Sequence, residues 1–156
     1  MSDIDRSVLG QMDVGALFHS VLFAHQKALK GILGERITTI ITGATLPTIE
    51  KVLGKASSRI VRAERTEDAL KRFADLLLVS ELISGANIRK EGGYLMEIDG
   101  CAFAEHVHHM LNPKDVTCPW AIIAMSIAQK ASGQGVKMSL SEFTPKGSKT
   151  LIELVS

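Results

Sequence analysis

Cysteine is scarce in this 156-residue sequence, with Cys101 and Cys118 its only two. They are too few for a disulfide scaffold and too far apart for a CxxC motif, which points to a reducing, cytoplasmic setting where both stay thiols or hold a ligand. Also missing is any run of about 18 apolar residues, so no segment reads as a membrane span. Neither sign of charge is in excess, with 18 Lys and Arg against 17 Asp and Glu. That balance leaves no electrostatic footprint for nucleic acid or anionic lipid. The cations of the middle stretch, Lys55, Arg59, Arg62, Arg65, Lys71 and Arg72, are interleaved with Glu64, Glu67, Asp68 and Asp75. They read as a solvated helix face before a phosphate patch. The opening, Met1 to Met12, carries Asp3, Asp5 and Arg6 with no basic start followed by an apolar stretch. It reads as a short extension and not as a signal peptide. Neither GxGxxG nor GxxxxGK followed by Ser or Thr occurs, which excludes the phosphate-cradling loops of those types.

What is present is an ordinary globular composition, 46% apolar and 22% charged. A chain of this length buries roughly 70% of its unfolded surface, enough for one domain over residues 13–156 without staples. Asp13 can cap a helix running to Leu33, where Gly34 offers a left-handed stop. Leu17, Val21, Leu22, Leu29 and Ile32 recur in it at helical spacing. From Glu35 to Leu53 the β-branched run Ile37 to Thr42 favours a strand, while Ile37, Ile40, Ile41 and Ala44 fit a helix and Pro47 can open a second short one. Lys55 to Arg65 looks like a connector. Thr66 then caps a helix from Glu67 to about Leu82 with Ala69, Leu70, Phe73, Leu76, Leu77 and Ser80 as its buried stripe. Ile83–Arg89 and Tyr94–Ile98 form a hairpin through Glu91, Gly92 and Gly93. A helix from Cys101 to Leu111 stops at Asn112 and Pro113. Another starts at Pro119 and ends at Gly133 or Gly135, and a last hairpin pairs Val136–Phe143 with Ser148–Val155. The order predicts an α+β fold, an antiparallel sheet of about four strands packed against several helices.

The stretch from Gly100 to Trp120 holds both cysteines and three of the five histidines. On a continuous helix Cys101, Glu105, His108 and His109 share one side, with His106 between the faces. A thiolate, a carboxylate and imidazoles suit zinc or a similar divalent ion, and Cys118 could complete the shell. The same pattern also fits a plain amphipathic surface helix with two idle thiols, and the spacing matches no established zinc signature. Cys118 precedes Pro119 at a helix start, where unpaired N–H groups and the helix dipole lower a thiol's pKa, so a redox-responsive residue is one reading and a simple cap the other. A nucleophilic pair of Cys118 with His106, His108 or His109 finds no orienting third group in the sequence, so an enzyme is not indicated. His19 and His25, six positions apart, do not share a face and read as ordinary histidines.

Phe18, Phe23, Phe73, Phe103, Trp120 and Met125 sit on helices among aliphatic residues. Such positions are first of all core, but helices layered over a curved sheet can leave an apolar cavity. The order of elements, with TEDALKRF opening the central helix, the Cys101-led and Cys118-led helices and a final hairpin containing SEFTPKG, resembles the 4-vinyl reductase domain family, which is related in fold to the TRAPP subunits. The resemblance covers Asp13 to Val155 and implies a domain that binds a small apolar molecule, forms a homodimer and senses its ligand for a regulator. It also implies a zinc site, for which Cys118 and Glu142 fall at matching positions. The two hairpin cysteines of that site are absent, with Thr144, Pro145 and the region of Thr150 and Leu151 in their place. The expected pocket residues are Phe18, Leu22, Phe73, Phe103, Trp120 and Met125. The expected metal set is Cys101, Glu105, His108, His109 and Cys118. A metalloprotein or hydrolase built on that set and a scaffolding dimer are the alternatives.

Overall fold

The computed structural model describes residues 11–34, 36–54, 63, 65–112 and 116–155, and for residues 11–15, 53, 105 and 106 the backbone alone. Most of the connector expected between Lys55 and Arg65, and nearly all of the N-terminal extension, lie outside the described residues.

Helix α1 spans Gln11–Leu33 and stops where Gly34 turns left-handed at φ 61°, its N–H reaching back to the Lys30 carbonyl. Helix α2, Arg36–Leu53, resolves the ambiguous stretch as one helix that carries Pro47 inside it instead of restarting there. Tertiary contact overrides the β-branched preference at this point. Ile37 and Thr42 are buried, and the Ser126 hydroxyl donates to the Thr42 carbonyl at 2.9 Å. Thr45 and Thr48 satisfy their hydroxyls on the carbonyls of Ile41 and Ala44, four residues back, which lets them sit in a helix without an unpaired group.

Helix α3 is Thr66–Val79, three residues shorter at its C-terminal end than the spacing predicts. Thr66 is its buried first residue and not its cap, a position that Arg65 holds without a side-chain bond. Arg65 instead forks onto Asp68, and Lys71 pairs with Glu67. Ala69, Leu70, Phe73, Ala74 and Leu77 make its buried face. Leu76 is half-buried and Ser80 exposed.

Strands β1 (Gly85–Lys90) and β2 (Tyr94–Asp99) form the first hairpin, and β3 (Gly135–Thr144) and β4 (Gly147–Val155) the second. The second hairpin lies reversed, so the antiparallel order is β1-β2-β4-β3 with β4 beside β2. Gly147 makes that seam possible, because a Cβ there would collide with the Ile98 carbonyl. One face of the sheet carries Ile88, Met96, Ile98 and Ile152 into the core. The other carries charge ladders, Arg89 to Glu97 to Lys149 and Lys137 to Glu153. Between β2 and β3 lie a four-residue helix α4 (Ala104–Val107), a 3-10 turn His108–Met110, and helix α5 (Pro119–Ser132), which ends at left-handed Gly133. Helices α3 and α5 pack on the apolar face of the sheet, with Leu70, Met125, Ile127 and Ile152 almost wholly buried. The expected α+β architecture, with helices on a four-stranded antiparallel sheet, is the one observed. Helix α1 stands outside this main core and helps to build a second, smaller one of Phe23, Val107 and Val116.

Candidate functional site

The second core brings α1 against the chain between β2 and α5. Two backbone bonds peg that chain down at its start, Cys101 N–H to the Lys146 carbonyl at 2.8 Å and Ala102 N–H to the Leu82 carbonyl at 3.0 Å. Only one turn of α-helix then forms, with Phe103 at an N-cap that supplies no side-chain bond. The long Cys101–Leu111 helix expected from the sequence is not formed: the α-turn covers Ala104–Val107 and a 3-10 turn His108–Met110 follows. With that helix goes the single stripe that would align Cys101, Glu105, His108 and His109.

Along α1, His19, Phe23 and Gln26 follow at i, i+4 and i+7 and are all buried. The His19 ring meets Phe23 edge-on at 4.8 Å, lies 5.0 Å from Phe103 and 6.5 Å from the His108 ring. Phe143 of β3 closes the group at 5.0 Å from His108 and 5.7 Å from Phe23. Gln26 accepts the Thr117 N–H on Oε1 at 2.9 Å, which ties α1 to the approach of α5.

Burial disfavours the charged form of both imidazoles. Burial, with a smaller repulsion from His108, lowers the His19 pKa to about 4. Burial likewise lowers that of His108, against the opposing pull of carbonyls at Thr144 and Gly147. His108 Nδ1 lies 3.0 Å from the Thr144 carbonyl. A carbonyl only accepts, so Nδ1 carries the proton and Nε2 is left as a bare acceptor. Nε2 of His108, Nε2 of His19 and Nε2 of Gln26 are all buried without a hydrogen-bond partner among the described residues. An unpaired buried polar atom costs about 1–3 kcal/mol, and Thr42, Trp120, Ser141, Thr150 and Glu153 carry others elsewhere in the fold.

A cleft of about 230 Å³ opens between α1 and Val107, Met110, Leu111, Asn112 and Val116, with none of His19, Gln26 and His108 in its lining. Phe23, Ala24, Val107, Met110, Leu111 and Val116 give it apolar walls, and Ser20, Lys27 and Asn112 add polar groups. An apolar cavity of roughly 150 Å³ takes up benzene, so this space suits one or two small rings or a short branched chain.

The expected pocket residues scatter. Phe103 is half-buried and touches His19, but Phe73 and Met125 are in the main core under the sheet. Phe18 is 72% exposed and Leu22 44% exposed on the far side of α1. Trp120 is half-buried in the first turn of α5, packed against the main core. The cleft is walled instead by Phe23, Ala24, Val107, Met110, Leu111 and Val116, and on α1 the i, i+3, i+4, i+7 spacing of Ser20, Phe23, Ala24 and Lys27 is the sequence signal for it.

Of the expected metal residues, Cys101 and Cys118 are both buried and near enough for the charge of one to raise the pKa of the other; His108 is buried and His109 exposed. The side chain of Glu105 lies outside the described residues. No group of three or more His, Cys, Asp and Glu able to hold a metal occurs among the described residues. Cys118 does sit at the N-cap of α5, as the sequence suggests, but its thiol is fully enclosed. Burial pushes its pKa up, and the Ser148 hydroxyl and the nearby amides of Trp120 and Ala121 only partly oppose that. The dipole argument for a reactive thiolate fails here because desolvation outweighs it.

Comparison with family models, with curated proteins and with solved structures gives no match for the chain.

Proposed function

We propose that this chain is a binding domain for a small, mostly apolar molecule, held in the cleft between α1 and the segment from Val107 to Val116, and that it works as a cytoplasmic homodimer with one cleft per copy. The observation that carries this reading is a cleft of about 230 Å³ whose walls are apolar, Phe23, Ala24, Val107, Met110, Leu111 and Val116, with the polar groups of Ser20, Lys27 and Asn112 among them. Apolar walls with a few convergent polar groups are the usual make-up of a small-molecule site. The absent hairpin cysteines and the broken Cys101 helix favour this over a metal-centred enzyme.

The test is thermal unfolding with a panel of one- and two-ring apolar compounds. A ligand at a hundred times its Kd stabilises the native state by about 2.7 kcal/mol, a shift of roughly 5–10 °C for a chain this size. Ala24→Trp, at an exposed position on the cleft wall, should abolish the shift while leaving the core untouched. A panel that shifts nothing defeats the proposal, and an equal shift in Ala24→Trp moves the site elsewhere.

A further inference from the structure

The homodimer in the proposed function needs a surface, and we infer that it is the outer face of α1, laid against the same face of a second copy. At 100° per residue, Leu17, Phe18, Val21, Leu22, Leu29, Ile32 and Leu33 fall within roughly 160° of arc, which leaves His19, Phe23 and Gln26 outside it. Leu17 is 64% exposed and Ile32 80% exposed, and the other five are also open to solvent. An apolar arc this wide on a helix is the kind that packs against another surface.

The exposed area of these seven residues is on the order of 700 Å², close to the roughly 800 Å² that each partner contributes to a standard interface. It also exceeds the few hundred Å² of contiguous apolar patch normal for a monomer. Within the arc, Phe18, Leu22, His25, Leu29 and Ile32 follow alternating steps of four and three, the seam by which two helices pair along their length. A membrane surface is a poorer occupant, because an interfacial helix flanks its apolar face with cations. Lys27 and Lys30, the basic residues of α1, project on the side of the helix that faces its own domain.

His25 is the middle residue of the seam, so a parallel pair in register and a centred antiparallel pair both bring it near its own copy. The experiment is sedimentation of the full chain at several concentrations, with Phe18→Glu/Ile32→Glu, with Val79→Glu as an exposed apolar control off the face, and with His25→Cys under mild oxidation. The expected result is a dimeric wild type and Val79→Glu, a folded monomer for the double variant, and a disulfide-linked dimer for His25→Cys. A wild type that stays monomeric overturns both this assignment and the homodimer itself. A dimeric wild type whose double variant also stays dimeric overturns the face alone. Should the double variant not fold, His25→Cys decides, and failure to cross-link in a dimeric protein overturns the assignment. Binding of the wild type, but not of the double variant, to lipid vesicles overturns it in favour of a membrane.

Discussion

Acidification should loosen this protein well before its carboxylates titrate, through His19. Its folded pKa is about 4 against an ordinary value of 6.5, so the folded state prefers the neutral ring and the unfolded chain takes up the proton first. Stability is therefore full above about pH 7, falls as the pH drops below 6.5, and stops falling from this cause below 4. The whole gap sets a ceiling of about 3.4 kcal/mol, at 1.36 kcal/mol per pKa step. Between pH 7 and pH 5 the expected loss is about 2 kcal/mol, which lowers the melting temperature by roughly 4–8 °C. His108, also lowered by burial, acts in the same direction. The assay is urea unfolding of the wild type and His19→Phe from pH 7.5 to pH 5, a window above most carboxylate titration. His19→Phe should lose distinctly less stability over that window than the wild type, whatever its stability at pH 7.5. Parallel curves for the two proteins would refute the argument, because they would mean that the ring at position 19 is not held neutral by the fold.

Four further outcomes follow from burial and hydrogen bonding. Met125→Ala, at a side chain 1% exposed in the main core, should cost about 2–5 kcal/mol in urea unfolding, whereas Phe18→Ala should leave the unfolding of a dilute monomer almost unchanged and weaken only association. Gln26→Ala strips the buried Thr117 N–H of its acceptor and should cost about 1–3 kcal/mol. Gly147→Ala places a methyl against the Ile98 carbonyl and should cost at least about 1–3 kcal/mol, read as a lowered urea midpoint. Cys101 and Cys118 are both buried free thiols. Neither should react quickly with a thiol reagent at pH 8 in the native protein, and both should react at once in denaturant; fast native labelling of Cys118 would revive the low-pKa reading.

Where one period dominated, the sequence was sufficient. The α3 stripe of Leu70, Phe73 and Leu77, the Gly92–Gly93 hairpin and the glycine stops at Gly34 and Gly133 each rest on local chemistry that nothing distant overrules. It was insufficient where a distant partner cast the vote. The β-branched run of α2 is helical in a tertiary setting the local sequence does not show: α5 packs along α2, and Ser126, 84 positions along the chain, bonds the Thr42 carbonyl. The Cys101 segment forms only one α-turn, Ala104–Val107, with its start tied to the distant carbonyls of Lys146 and Leu82, contacts that no residue between Gly100 and Leu111 reports.

The same distinction explains the site. Periodicity says that a residue has neighbours on its face but not whether they come from its own chain. On α1 two periodic faces coexist, and counting large aliphatics selects Leu17, Val21, Leu22, Leu29 and Ile32, the face turned to solvent. The face that does enter the domain is carried by His19, Phe23 and Gln26, two of them polar, and so it is invisible to a hydrophobic count. A helix that keeps its polar residues inward and its aliphatic ones outward is in local conflict with a monomeric fold. A second copy laid against the outward leucines, as proposed above, removes the outward half of that conflict.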